Sequence, residues 1–435
     1  MRVSLYTLGC KLNQCESEAI ADAFRKEGFE VLPPSQDAEL IIVNSCTVTS
    51  KAEQKTRRMI RKFANSELKP IVLVTGCYAQ LEKEEIEALS EQVVVVSLDD
   101  KPSLINLPQF LAHRLISDFD LKEALINFNE SSDISPFDYD AATFSYHSRA
   151  FLKIEDGCDN QCAFCRVTIA RGDAVSLDHD EVVKRTLALE GQGYKEIVLT
   201  GVNISAYQSG SYDLAKLLIL LLEKLNKETK IRLSSLEPDK LDKELIEVFR
   251  DDRIQSHFHL PIQVASNKVL ERVNRNYDIS RLYEAVKLLR EVKEDPFIAA
   301  DIITGLPAET DEEFEKSFEV LKELDLAQLH VFPFSPRPQT PLFDATDRVC
   351  ERTRDERAKL LREFSQKQYR RYLSRQIGKT FDTIVEKRDK KGTWGLTSNY
   401  LKVKIIGENV EYEKGAIIKV TIGKDNSGYE QNIAL

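Results

Sequence analysis

Short β-branched runs alternate with amphipathic helical stretches along most of this chain, and no other feature constrains its fold as strongly. Val3 to Leu8, Leu40 to Asn44, Ile71 to Thr75 and Val93 to Ser97 are strand-like. Between them, Ala19, Ile20, Ala23 and Phe24 fall at helical spacing, and Ala52 to Phe63 reads as a second, more basic helix. A βαβαβ order of this kind requires a parallel sheet with right-handed crossovers. The rhythm breaks over about 99–148, where Pro102, Pro108 and Pro136 accompany a polar run, Asn127 to Asp140, containing Ser131-Ser132-Asp133. This segment reads as a connection, helical around Leu104 to Leu115. Six more strands are then expected at Phe151 to Ile154, Glu196 to Thr200, Ile231 to Ser235, Phe258 to Ile262, Ile298 to Ile303 and Gln328 to Phe332. With helices between them they predict a partial, TIM-like (β/α)6 barrel whose reactive groups gather at the C-terminal strand ends. After a charged helix, Thr380 to Glu386, Leu401 to Ile406 and Ile417 to Ile422 are β-rich and separated by Gly392, Gly395, Gly407 and Gly415, which predicts a small antiparallel β-barrel. The fold class is α/β, and the expected units are 1–98, 99–148, 149–345, a basic helix over 346–375, and 376–435.

With 435 residues the chain has room for several cores, and no run of about 18 apolar residues marks a membrane span. Met1 to Gly9 enters a strand directly, so no secretory signal is expected and the cytosol is the expected compartment. Thiols stay reduced there, and the eight cysteines read as metal ligands, catalytic groups or small buried hydrophobes rather than as a disulfide framework. A net charge of −10 argues against indiscriminate coating of nucleic acid. Two basic runs stand out against it: Lys51 to Lys62, with Lys55, Arg57, Arg58 and Arg61, and Arg348 to Arg375, with ten Lys/Arg against four Asp/Glu. The ordinary reading of each is a solvated helix face.

Cys158, Cys162 and Cys165 form Cys-x3-Cys-x2-Cys after the first barrel strand, preceded by Lys153-Ile154-Glu155-Asp156-Gly157. Three thiolates in eight residues can hold a cubane cluster with one iron left open. A structural zinc site would close with a fourth Cys or His, and none follows at short range. Cys10, Cys46 and Cys77 each stand just past a strand of the N-terminal sheet, at the edge where open α/β sheets bind ligands. They form a second candidate cluster set, the alternative being three separately buried thiols. Cys15 and Cys350 have no partner at ligand spacing.

On these motifs the chain resembles the radical S-adenosylmethionine superfamily and, over essentially its whole length, the methylthiotransferases. Thr7-Leu8-Gly9-Cys10-Lys11-Leu12-Asn13, Asn44-Ser45-Cys46-Thr47-Val48 and Thr75-Gly76-Cys77 resemble the three ligand motifs of the branch acting on N6-threonylcarbamoyladenosine in tRNA, and Gly395 to Tyr400 is similar to that branch's C-terminal TRAM signature. The resemblance implies two 4Fe-4S clusters, on Cys10, Cys46 and Cys77 and on Cys158, Cys162 and Cys165, with S-adenosylmethionine on the open iron of the second. It places Phe164 beside the cofactor adenine, with Thr200 to Asn203 and Arg232 to Pro238 lining the site, Gly201, Asn203, Ser234 and Glu237 being the binding candidates. His259, Gln263 and Arg337 are candidates for substrate contact, and Trp394 and Tyr400 for stacking on unpaired bases, with Lys387, Arg388, Lys390 and Lys391 near phosphates. The implied reaction is methylthiolation of C2 of the adenine, next to the anticodon, with an electron donor protein as partner and no membrane. Other readings that stay open are methylthiolation of a protein side chain and a non-catalytic iron-sulfur RNA-binding protein. Three positions depart from the pattern: Val264, Ala308 and Gln339 stand where glycine is expected. Because the cysteines all lie upstream, removal of 376–435 is expected to weaken RNA binding and spare the clusters.

Overall fold

The computed structural model describes residues 1–114, 120–128, 135–139, 147–390, 392–406, 412–424 and 432–434. Ser131-Ser132-Asp133 and Lys391 lie outside them. The N-terminal sheet contains β1 (Arg2–Thr7), β2 (Glu30–Leu32), β3 (Leu40–Ser45), β4 (Ile71–Gly76) and β5 (Val93–Val95) in the order β2-β1-β3-β4-β5, every pair parallel. β3 is buried at all six positions, which explains its unbroken Leu-Ile-Ile-Val run. The chain leaves β1 toward β2 on one side and β3 lies on the other, so a topological switch crevice opens between β1 and β3. β2 is an unpredicted edge strand of three residues, too short to show alternation.

Six parallel strands follow: β6 (Ala150–Lys153), β7 (Glu196–Thr200), β8 (Lys230–Leu233), β9 (His257–Gln263), β10 (Phe297–Thr304) and β11 (Gln328–Pro333). They pair in sequence order as two ladders of three, joined by single bridges at Ile231/Ile254 and Ser235/His259. The connecting segment carries short helices at Leu107–Arg114 and Leu121–Ile126. Among the described residues no helix is long and apolar enough to cross a membrane.

The helix Glu351–Gln376 buries Ala358, Leu361, Ser365, Gln368 and Tyr372, a stripe at helical spacing. Several of its cations are tied to the barrel: Arg357 pairs with Glu309 and Asp311, and Arg375 with Asp295 and Asp325. The helix packs along this stripe, while Arg352, Lys359, Arg362, Lys367, Arg370 and Arg371 stand exposed on its other side, the solvated basic face its composition suggests. Beyond it lie β12 (Thr380–Asp389), β13 (Gly392–Thr397), β14 (Lys402–Ile405), β15 (Ile417–Thr421) and β16 (Asn432–Ala434), in one sheet ordered β15-β12-β13-β14-β16. All pairs are antiparallel except β14 with β16. Gly392 and Gly395, expected as separators, belong to β13; a Cβ on Gly395 would stand 2.6 Å from Thr383 Cγ2 of the neighbouring strand. This sheet shares one core with the barrel, formed by Phe297, Ala299 and Ala327 on one side and Leu401, Val403, Val420 and Ile422 on the other, with Tyr372 of the helix. Removing 376–435, expected above to weaken RNA binding and spare the clusters, would also open this shared core.

Candidate active site

Each cysteine of the first set stands where a strand of the N-terminal sheet ends. Cys10 caps the helix Lys11–Lys26 after β1, Cys46 follows β3 across the switch crevice, and Cys77 opens the helix Cys77–Leu81 directly after β4. Close approach in this crevice requires glycine before Cys10: Gly9 has φ +107°, and a Cβ there would lie 2.9 Å from Cys46 Cβ. Cys158, Cys162 and Cys165 occupy the loop between Glu155–Asp156 and the helix Val167–Arg171. All six side chains line one cavity of about 360 Å³ between the two domains. Among the described residues no three His, Cys, Asp or Glu side chains close on a single ion position. A cubane spreads its irons, so its thiolates stand farther apart than those around one ion.

Burial pushes Cys46 up to about 12 and Cys158 and Cys165 up to about 11, so loading with iron releases protons. The barrel gives each set one guanidinium: Arg171 Nε donates to Cys77 Sγ at 3.3 Å, and Arg275 Nη1 to Cys162 Sγ at 3.1 Å. Arg171 also reaches Asn13 Oδ1 at 3.0 Å, Asp156 Oδ1 at 2.8 Å and Glu16 Oε1 at 3.2 Å. Burial alone would raise the Glu16 carboxyl, but Lys101, Arg171 and Lys153 converge on it and hold it well below the usual carboxylate range. A second junction joins the domains where Arg166 meets Thr47, Glu53 and Glu82, and Arg337 meets the same Glu53.

Beside Cys158, Asn203 keeps its buried Oδ1 without a hydrogen-bond partner while its backbone N–H donates to Glu155 Oε2 at 2.7 Å. Burial lifts the Glu155 carboxyl to about 8, and its Oε1 is likewise unpartnered. Gly201 leaves room for this pair, since a Cβ would collide with the Glu155 carboxylate and stand 2.9 Å from its carbonyl oxygen. Of these two residues Asn203 lines the cavity, and its orphaned acceptor calls for a ligand with N–H or O–H donors, as the amine and ribose of S-adenosylmethionine provide. The donor set therefore fits two iron-sulfur clusters and that cofactor.

Of the residues expected here, Phe164, Gly201, Asn203, Glu237 and Gln263 line the cavity. Ser234 is buried next to Ser235, which does line it. His259 bridges two lining residues, Ser235 Oγ at 2.8 Å and Asp301 Oδ1 at 3.0 Å. The structure does not bring Arg337, Trp394 or Tyr400 to this cavity. Arg337 is buried on Glu53; Trp394 Nε1 donates to Asp389 Oδ1 at 3.4 Å; the Tyr400 ring stacks on His257 with centroids 3.7 Å apart. Arg232, from the same motif as Ser234, is also drawn away, to Glu196 and to the carbonyls of Thr397 and Ser398. Sequence reasoning missed Arg166, Arg171 and Arg275. The only signal available was that cations in a buried loop need anionic partners.

Comparison with known proteins agrees with this layout. Residues 2–97 match the uncharacterized protein family UPF0004, and residues 152–321 match the radical SAM superfamily. The chain is 36% identical over 480 residues to the threonylcarbamoyladenosine tRNA methylthiotransferase MtaB of Treponema pallidum (strain Nichols), covering 98% of this chain and 99% of that protein. It is 35% identical over 443 residues to the protein of the same name from Bacillus subtilis (strain 168), covering 99% and 95%. A tRNA-2-methylthio-N(6)-dimethylallyladenosine synthase from Thermodesulfovibrio yellowstonii (strain ATCC 51303 / DSM 11347 / YP87) is 32% identical, covering 97% and 96%. In fold it is similar to the radical S-adenosylmethionine methyltransferase TsrM from Kitasatospora setae, with a TM-score of 0.55 at 15% identity over 79% of this chain and 77% of that one. Full-length likeness, two matched domains and a cavity shared between them place the chain in the radical S-adenosylmethionine methylthiotransferase family, in the branch of the first two relatives, as an enzyme working with S-adenosylmethionine and two 4Fe-4S clusters.

Proposed function

We propose that this enzyme replaces the hydrogen on C2 of N6-threonylcarbamoyladenosine, next to the anticodon of tRNA, by a methylthio group. The observation that carries the reading is that two cysteine sets from two domains open on one cavity. A radical made beside one set can then act on a nucleotide that also reaches the other. When bound, the cofactors supply the radical that removes an unactivated hydrogen and the methylated sulfur that takes its place. In this reading Cys158, Cys162 and Cys165 hold the cluster that binds S-adenosylmethionine, whose remaining groups lie against Phe164, Gly201, Asn203, Ser234 and Glu237. Cys10, Cys46 and Cys77 hold the second cluster, and His259 and Gln263 face the substrate. Arg337 acts instead by fixing the two domains through Glu53. The names of the relatives support threonylcarbamoyladenosine over dimethylallyladenosine as substrate. The setting is the cytoplasm, and a protein electron donor completes the cycle.

Anaerobically loaded, reduced protein should release 5'-deoxyadenosine from S-adenosylmethionine, and replacing any one of Cys158, Cys162 or Cys165 by Ala should abolish it. The combined Cys10→Ala, Cys46→Ala, Cys77→Ala variant should keep this cleavage, lose one cluster's worth of iron and form no methylthio nucleoside. Mass spectrometry of nucleosides from cells lacking and regaining the chain reads the product. A fully loaded wild-type protein that yields no deoxyadenosine, or tRNA unaltered by its loss, would refute the proposal.

A further inference from the structure

The helix Ser50–Ala64 has two unlike faces. Thr56, Ile60 and Phe63 are buried on one side together with Glu53, its only carboxylate, which is engaged by Arg166 and Arg337. Lys51, Lys55, Arg58 and Lys62 follow at i, i+4, i+7 and i+11, all exposed, so they form one stripe about 16 Å long at roughly 1.5 Å rise per residue. Arg57 is occupied by Tyr78 and Glu85, whereas no ion pair engages the four stripe residues among the described residues. In the longer basic helix, Glu351–Gln376, part of the charge is instead neutralised by the fold: Arg357, Arg371 and Arg375 pair with barrel carboxylates, and Arg352 and Arg354 with carboxylates of the helix itself.

The stripe also begins at the mouth of the catalytic cavity. Val48 and Thr49, just before the helix, line that cavity, and Ser50 is fixed by Ser335, another lining residue, with its N–H 3.1 Å from Ser335 Oγ. Apolar surface is left open at this rim: Val48 is 55% exposed and Phe332 41%. A strand whose one base enters the cavity must carry its neighbouring phosphates out over the rim. On a chain of net charge −10, an unneutralised cationic line leading away from there complements a polyanion.

We infer that the outer face of this helix is a track for the backbone phosphates that flank the nucleotide held in the cavity. The inference rests on the RNA substrate proposed above and assigns that RNA a contact surface in the N-terminal domain. Its test is the binding of an anticodon stem-loop RNA carrying threonylcarbamoyladenosine, across a salt series, to the cluster-loaded protein. The Lys55→Gln, Arg58→Gln double variant should bind more weakly, with a log-log salt slope lower in magnitude by about 1.4, at about 0.7 per single-strand phosphate contact. Lys55→Arg with Arg58→Lys should restore binding, which separates charge from folding, as do unchanged iron content and thermal midpoint. Lys195→Gln with Lys227→Gln makes the same charge change before β7 and β8, at the opposite barrel end, and should leave the slope unaltered. Equal weakening by both double variants, or none by the first while the wild type binds, overturns the track alone. A wild type that does not bind the RNA overturns the substrate reading, and the track falls with it.

Discussion

Ala308 and Gln339 hold φ of +66° and +68°, a left-handed backbone that side chains disfavour by roughly 1–2 kcal/mol. Both stand where the family pattern calls for glycine, so the sequence departures mark real strain. Part of the gain from restoring glycine is offset by the extra freedom it gives the unfolded chain. Ala308→Gly and Gln339→Gly should therefore each stabilise the protein by about 0.5–1 kcal/mol, read as a higher denaturant midpoint with unchanged slope. The third departure misleads by one residue: Gln263 takes φ +66°, while Val264 is a buried core side chain. The six cysteines were legible because each stands at a strand end or in a compact motif. Their guanidinium partners were not, since Arg171 and Glu16 lie 155 residues apart and only the folded chain joins them.

At the scale of elements, strands buried on both faces announced themselves by unbroken apolar runs, as in β3 and β4. Elements missed by the same reading are short, like β2, or interrupted by glycine, like β13. The charged helix Glu351–Gln376 was legible as a helix but not as a packing element, because its ion-pair partners sit in distant loops. The contact between β9 and the C-terminal sheet carries its own titration. His257 is buried under Tyr400, with Arg232 and Lys11 nearby, and burial together with these cations drives its basicity well below the ordinary 6.5. The unfolded chain thus takes up a proton that the folded chain refuses, so this group withdraws stability as pH falls below about 6.5, by up to about 1.4 kcal/mol per pH unit. His257→Phe removes the orphaned Nδ1 as well. Between pH 5 and 6.5 the variant should show a flatter dependence of thermal midpoint on pH than the wild type; parallel curves would count against this account.

For the whole molecule, the C-terminal sheet is a wall of the barrel rather than an appendage. Removing 376–435 uncovers Phe297, Ala299 and Ala327 and deprives Arg232 of two carbonyl acceptors. Burying a Phe side chain alone is worth roughly 1.5–3 kcal/mol, so the truncated chain should lose at least about 3 kcal/mol and retain less iron on loading. A truncation with full iron content and an unshifted thermal midpoint would show that the shared core is dispensable; an RNA role for this sheet is better tested by Trp394→Ala, which leaves that core intact. The guanidinium seam at the other domain boundary bears on heredity. Arg171 belongs to the barrel loop yet hydrogen-bonds a thiol of the N-terminal half, and it is anchored there by Asn13 and Glu16. A hybrid that took its front half from one lineage and its barrel from another would have to bring matching partners across that seam or leave a buried cation stranded. Surface features such as the basic stripe, whose four cations touch neither junction, carry no such matching requirement.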